Sequence, residues 1–182
     1  MKTKELELKD HVIVCGYGIV GEKIVDSLKE YNIDFIVIEF DENKAEKLKK
    51  YGYNYINGDA TKSKNLKDAN IKNAKAIAVV MDDEAKNLFA ILTARDLNKN
   101  IFIATRTNDV ILRDKFVEAG ANYVIMPQKI ASKEIIEEIL QDNVSWFVIL
   151  NILKICRIKI YIGYKILFII LNILLLIGWE IG

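Results

Sequence analysis

The stretch Val12-Ile13-Val14-Cys15-Gly16-Tyr17-Gly18-Ile19-Val20-Gly21 decides the fold. Four apolar residues, two of them valine, read as a short buried strand. Val20, Ile24, Val25 and Leu28 then recur at helical spacing. Between strand and helix lies G-x-G-x-x-G, and that position gives an otherwise common pattern its weight. Gly16 permits a tight turn, Gly18 lets backbone approach a pyrophosphate, and Gly21 lets helix and strand pack closely. The first helical turn, with Ile19 and Val20, offers free N–H donors to phosphate oxygens. The next apolar run, Phe35 to Ile38, ends at Glu39, 23 residues past Gly16, where an acid accepts hydrogen bonds from ribose hydroxyls. A carboxylate there repels a 2′-phosphate, which favours NAD or another adenosine nucleotide over NADP.

Working outward, strand and helix patterns keep alternating. Tyr53 to Ile56 and Ala76 to Val80 read as strands, as do Ile101 to Thr105 and Tyr123 to Ile125. Helical patterns surround Ala45 and Leu48, then Leu66 and Ala69. Longer ones run from about Glu84 to Leu97, Val110 to Ala119 and Ala131 to Leu140. Six strands, each followed by a helix, require crossovers and a sheet covered on both faces. The expected fold is α/β, a doubly wound Rossmann-type parallel sheet in the order 3-2-1-4-5-6. Asn32-Ile33-Asp34, Asn57-Gly58-Asp59, Asn98-Lys99-Asn100 and Gly120-Ala121-Asn122 mark the joints.

In such a sheet ligands bind at the carboxyl edge. Gly58-Asp59-Ala60-Thr61, Met81-Asp82-Asp83 and Thr105-Arg106 all follow strands and fall on that edge. Arg106 suits bidentate contact with phosphate oxygens, or a surface ion pair. Asp59 reads equally as a turn or cap residue, and Asp82 and Asp83 as acids complementing a helix dipole. The lysines at 44, 47, 49 and 50 read as a solvated helix face.

Composition narrows the chemistry. The chain has 182 residues, with 26 Lys plus Arg against 25 Asp plus Glu, 28% charged and 52% hydrophobic. This describes a compact globular protein and no wholesale nucleic-acid binder. Cys15 and Cys156 form no disulfide framework, and no apolar signal segment opens residues 1–10, so the expected setting is the reducing cytosol. His11 is the only histidine, and it reads as structural or solvent-facing. With two distant cysteines it supplies neither a usual zinc site nor a catalytic triad. No catalytic residue and no metal ligand is assigned.

Taken together, Gly16 to Gly21, Val37-Ile38-Glu39, Gly58-Asp59-Ala60-Thr61, Met81-Asp82-Asp83 and Thr105-Arg106 resemble the N-terminal lobe of the RCK/KTN (TrkA-N) domains over roughly residues 8–142. The Gly-Asp-Ala-Thr segment is the most telling part. The resemblance implies a regulatory lobe that binds NAD, NADH, ATP or ADP and so gates potassium flux through a membrane channel or transporter. It further implies a homodimer assembling into a larger ring at the inner face of the membrane. On this sequence it implies Gly16, Gly18 and Gly21 as phosphate loop, Glu39 as ribose acid, Asp59 and Ala60 at the adenosine side, and Arg106 at the phosphates. The wider candidate set adds Ile19, Val20, Thr61 and Met81. Family members usually continue into a second lobe, which nothing after residue 142 resembles, and no pore segment precedes residue 11. The expectation is a separate regulatory subunit or a fragment of a fused channel. Two alternatives stand beside it. An NAD-dependent oxidoreductase needs a substrate domain and proton donor, for which little sequence remains; a membrane-anchored scaffold would bind no nucleotide.

The expected organisation is a charged lead-in (1–10), the nucleotide-binding lobe (11–142) and an Ile/Leu-rich helical tail (143–182). Among residues 144–182, 12 are Ile and 7 are Leu, with no Ala, Thr, Asp or Pro. The 20 residues Ile160 to Trp179 suffice to span a bilayer, with Lys154, Arg157 and Lys159 before them. Lys165 and Asn172 weaken that reading. The tail is read as a frameshift product of an AT-rich gene, a membrane anchor or an interaction helix. Tyr161-x-x-x-Lys165 imitates a dehydrogenase pair and is read as chance.

Overall fold

A computed structural model describes residues 8–141. The tail and the expectations attached to it lie outside the described residues. Compact units divide between Lys129 and Ile130, and residues 130–141, within the last helix, are the described part of the second.

The elements, in chain order, are β1 (Val12–Cys15), α1 (Ile19–Glu30), β2 (Phe35–Glu39), α2 (Glu42–Lys50), β3 (Tyr55–Asn57), α3 (Ser63–Asp68), a 3-10 turn (Ile71–Asn73), β4 (Ala76–Val79), α4 (Glu84–Leu97), β5 (Phe102–Arg106), α5 (Val110–Glu118), β6 (Tyr123–Ile125) and α6 (Pro127–Gln141). All strand pairs are parallel, in the order β3-β2-β1-β4-β5-β6. The expected sheet is the one observed. Strand ends move by a residue or two, and α6 begins at Pro127, four residues before the apolar pattern does. Proline is tolerated in a first helical turn, whose N–H groups lack partners within the helix.

Alternation along the strands divides the core. Ile13 and Cys15 of β1, with Ile36 and Ile38 of β2, pack on one face with Ile77, Ile91 and Phe116; Val14 and Val37 pack on the other with Val25 and Leu48. The first face therefore lies under α4 and α5, and the second under α1 and α2. The chain changes faces between β3 and β4, so β1 and β4 run side by side, with Val14 opposite Ala78. Their carboxyl ends open a crevice at this switch point.

Helix starts set the loops beside that crevice. Asp41 accepts from Lys44 N at 3.0 Å, Asp83 from Lys86 N at 3.0 Å, and Asp109 from Ile111 N at 2.7 Å. Gly18 offers α1 no side-chain cap. At the opposite edge His11 is fully buried with Nε2 2.9 Å from Ala69 O, which makes it structural.

Candidate functional site: a crevice at the carboxyl edge of β1 and β4

The three loop glycines differ in what they require. Gly16 sits at φ +97°, a region that disfavours any Cβ, and a Cβ there would stand 3.0 Å from Met81 Cα. A Cβ on Gly21 would overlap the carbonyl oxygen of Gly16. These two are demanded by the path of the chain. Gly18 has φ −88°, open to any residue, and a Cβ there would meet only the Asp82 carboxylate, both oxygens at 3.7 Å. Folding therefore does not require glycine at position 18, which faces the crevice.

Glu39 is 8% exposed and binds the site together. Its Oε2 accepts from Tyr17 N at 2.5 Å and its Oε1 from Asp41 N at 2.8 Å. One carboxylate thus ties the glycine loop to the turn after β2. Each oxygen keeps acceptor capacity, since a carboxylate offers about four lone-pair positions.

Two cavities adjoin along the edge. One, of about 210 Å³, is lined by Gly16, Glu39, Asp59, Ala60 and Met81, with Gly18 and Asp82 at its border. The other, of about 470 Å³, is lined by Ile19, Val20, Lys47 and Arg106, again with Gly18 and Asp82. Of the expected residues only Gly21 and Thr61 line neither. Gly21 acts through packing, while Thr61 donates from N and Oγ1 to Asp59 Oδ1 at 2.9 and 2.8 Å. Burial works against ionising Asp59. Those two bonds, with Lys62 and Lys86 nearby, outweigh it and hold the carboxyl below the usual carboxylate range. Ile19 is 87% exposed, so its part in the loop is its backbone N–H.

Arg106 extends from β5 and its Nη2 lies 3.0 Å from Asp82 Oδ1. Its side chain is 20% exposed and its buried Nε has no hydrogen-bond partner among the described residues. Below, Asn87 is buried and clasps the backbone of Met81, accepting from its N at 3.0 Å and donating to its O at 2.9 Å.

The lysine run of α2 needs correction. Lys44 lines both cavities, and Lys47 lines the second while pairing with Glu22 Oε1 at 2.7 Å; Lys49 and Lys50 are exposed as expected. The first turn of α2 follows the carboxyl end of β2, so one face of it borders the crevice whatever its charge. Lys86, which lies 5.6 Å from the centre of the exposed Phe40 ring, and Asn87 are also absent from the sequence-based set. Their positions in α4, just beyond Asp82-Asp83, were the available signal. The Cys15 thiol is fully buried and pushed up to about 12, so it is inert as a nucleophile.

The arrangement can receive an anion: free helical N–H groups, a guanidinium and two lysines converge on a glycine without a Cβ. The TrkA-N domain model matches residues 12–127. The chain belongs to the TrkA-N family. Among relatives of this TrkA-N chain, "Probable potassium channel protein 2" of Methanocaldococcus jannaschii is 38% identical over 150 residues, covering 81% of this chain and 44% of the relative. "Potassium channel protein 1" of the same organism is 34% identical over 81% of this chain and 45% of its own length. The chain thus spans less than half of either relative. Among solved structures, the TrkA-N domain of the Escherichia coli inner membrane protein ybaL superposes with a TM-score of 0.70 at 23% identity, over 72% of this chain and 98% of that one. It shows the same fold. Among the described residues, no helix is long and apolar enough to cross a membrane, and no group of His, Cys, Asp and Glu forms a metal cluster.

Proposed function

We propose that this TrkA-N chain senses an adenine nucleotide, NAD(H) or else ADP or ATP, and thereby regulates potassium flux through a membrane channel or transporter. One observation carries the nucleotide reading: Gly18 is a glycine that neither backbone conformation nor packing demands, placed where a phosphate would approach the uncapped start of α1. In this reading Gly16, Gly18, Ile19 and Val20 present backbone to the pyrophosphate, and Gly21 holds the loop in place. Glu39 receives the ribose hydroxyls, Asp59, Ala60 and Met81 form the adenosine side, and Thr61 holds the Asp59 carboxylate there. Arg106 brings its guanidinium, with an unpartnered Nε, to the phosphates. The potassium reading rests on the family and on the relatives' names.

Ligand would act by preferring one of two arrangements of an oligomer, and only in proportion to that preference. Phe89, Leu92, Val110 and Ile111 are exposed on α4 and α5, which supports a homodimer contributing to a ring. The expected place of the lobe is the cytosolic side of the membrane that holds the pore.

The test is a calorimetric and thermal-shift panel of NAD, NADH, NADP, ATP and ADP on the full chain. Saturable binding that favours ligands lacking a 2′-phosphate is expected. Binding of none of the five would remove nucleotide sensing, and turnover of NADH with a carbonyl substrate would replace it with an oxidoreductase.

A further inference from the structure

We propose that Asp82 is a built-in competitor for the phosphate seat, so that affinity is set by the charge a ligand brings to displace it; this rests on the nucleotide reading above. The Asp82 carboxylate carries two anionic oxygens, as a phosphate edge does. Both lie 3.7 Å from where a Cβ on Gly18 would be, and one lies 3.0 Å from Arg106 Nη2. It therefore stands against the same glycine backbone and guanidinium that a phosphate would take. It lines both cavities, as Gly18 does, so a ligand extending from one into the other passes beside it.

Nothing in the fold calls for a carboxylate at this position. The Asp82 side chain is 80% exposed, and an exposed ion pair adds little to stability. The helix cap is supplied by its neighbour, Asp83. Meanwhile the Arg106 side chain is only 20% exposed, so packing restrains it more than it restrains Asp82. Exposed acid and sheltered base make an asymmetric latch: the acid swings out and the base stays. A neutral ligand gains nothing from opening it. A phosphorylated one replaces the lost pair with its own charge-assisted bonds, while any residual nearness of the displaced carboxylate repels it in proportion to its charge.

The test is calorimetry on the full-length wild type and Asp82→Asn with adenosine, AMP and ADP, in EDTA and again in magnesium. Adenosine affinity should stay within about twofold, AMP should gain, and ADP should gain most, on the order of three- to thirtyfold at low salt. In Arg106→Gln the same Asp82 substitution should give a smaller gain, because the competitor has lost its anchor. An equal gain for adenosine, or no gain for ADP, overturns the proposal. A loss of ADP affinity confined to magnesium overturns it too, by making Asp82 a cation ligand. If neither protein binds any adenine compound, the nucleotide reading itself fails and the latch falls with it. Binding by both with no charge-dependent gain removes the latch alone.

Discussion

Substituting Gly18 by serine separates binding from folding. With φ −88° the backbone accepts an L-residue, and the new Cβ meets only carboxylate oxygens at an ordinary contact distance of 3.7 Å. Position 18 is the N-cap of α1, where serine is at least as good as glycine, so stability should change by no more than about 0.5 kcal/mol. Ligand meets a different surface. The Cβ occupies the approach to the helix start, and the serine Oγ accepts one of the N–H groups that phosphate would use. Losing one or two charge-assisted bonds at roughly 1.5–3 kcal/mol each weakens binding by between about tenfold and about twenty-thousandfold, from one weak bond to two strong ones. Urea unfolding beside ADP and NAD calorimetry measures both quantities. Unchanged affinity in a normally stable variant would refute the phosphate loop. A stability loss beyond about 2 kcal/mol would instead show that the fold demands this glycine.

Gly21→Ala should do the reverse, since its Cβ overlaps the Gly16 carbonyl oxygen and α1 must move: a loss of about 2 kcal/mol or more, read by thermal unfolding. Glu39→Gln keeps an acceptor for only one of the Tyr17 and Asp41 N–H groups, leaving the other against an amide NH₂. It should cost roughly 2–4 kcal/mol of stability and weaken NAD up to about a hundredfold below its melting temperature, and an unshifted melting curve would count against the tie. Asn87→Ala strips both partners from the Met81 backbone; on the order of 2–4 kcal/mol should be lost in urea titrations, with ADP affinity falling as the crevice floor loosens. Asp59 has a lowered folded-state pKa, so its contribution to stability is present above the ordinary carboxylate value and fades as pH falls through the folded one. Wild type and Asp59→Asn should therefore differ near neutrality and converge in acid unfolding; a constant gap would exclude this source.

The sheet was legible because β1, β2 and β4 are buried on both faces and leave near-continuous apolar runs. Turns such as Gly120-Ala121-Asn122 announce themselves chemically. In the structure Arg95 fastens that turn, with Nη2 2.7 Å from Gly120 O and 2.9 Å from Asn122 Oδ1, a tertiary bond that no local pattern encodes. The crevice was legible where backbone makes it. Glu39 was expected as an acid facing a ribose, but its two backbone partners depend on loops meeting in space, and spacing gives no hint of them. Lys44 and Lys47 were misassigned because composition averages a helix face that the fold divides between solvent and site.

The segment after β4 shows how much chemistry a run of acids conceals. Asp82, Asp83 and Glu84 share a charge and complement one helix start, which is all that the dipole argument can say. In the structure they do different work. Asp82 holds Arg106, Asp83 caps α4, and Glu84 accepts from Thr107 Oγ1 at 2.8 Å and Asn108 N at 3.2 Å. The end of β5 and the loop after it are therefore tied to the segment that opens α4, once through an exposed acid and once through a half-buried one. A ligand that takes Arg106 from Asp82 breaks only the first tie. The second keeps Thr107 in place, and Thr107 Oγ1 in turn accepts from Asp109 N at 3.0 Å, beside the cap of α5. Any force that ligand exerts on Arg106 thus reaches the start of α5 through a loop still anchored at Glu84. Glu84→Gln should accordingly leave ADP binding nearly intact while loosening the response of α5 to it, as read by amide exchange at 110–112 with and without ADP. An unaltered exchange pattern would place the coupling elsewhere.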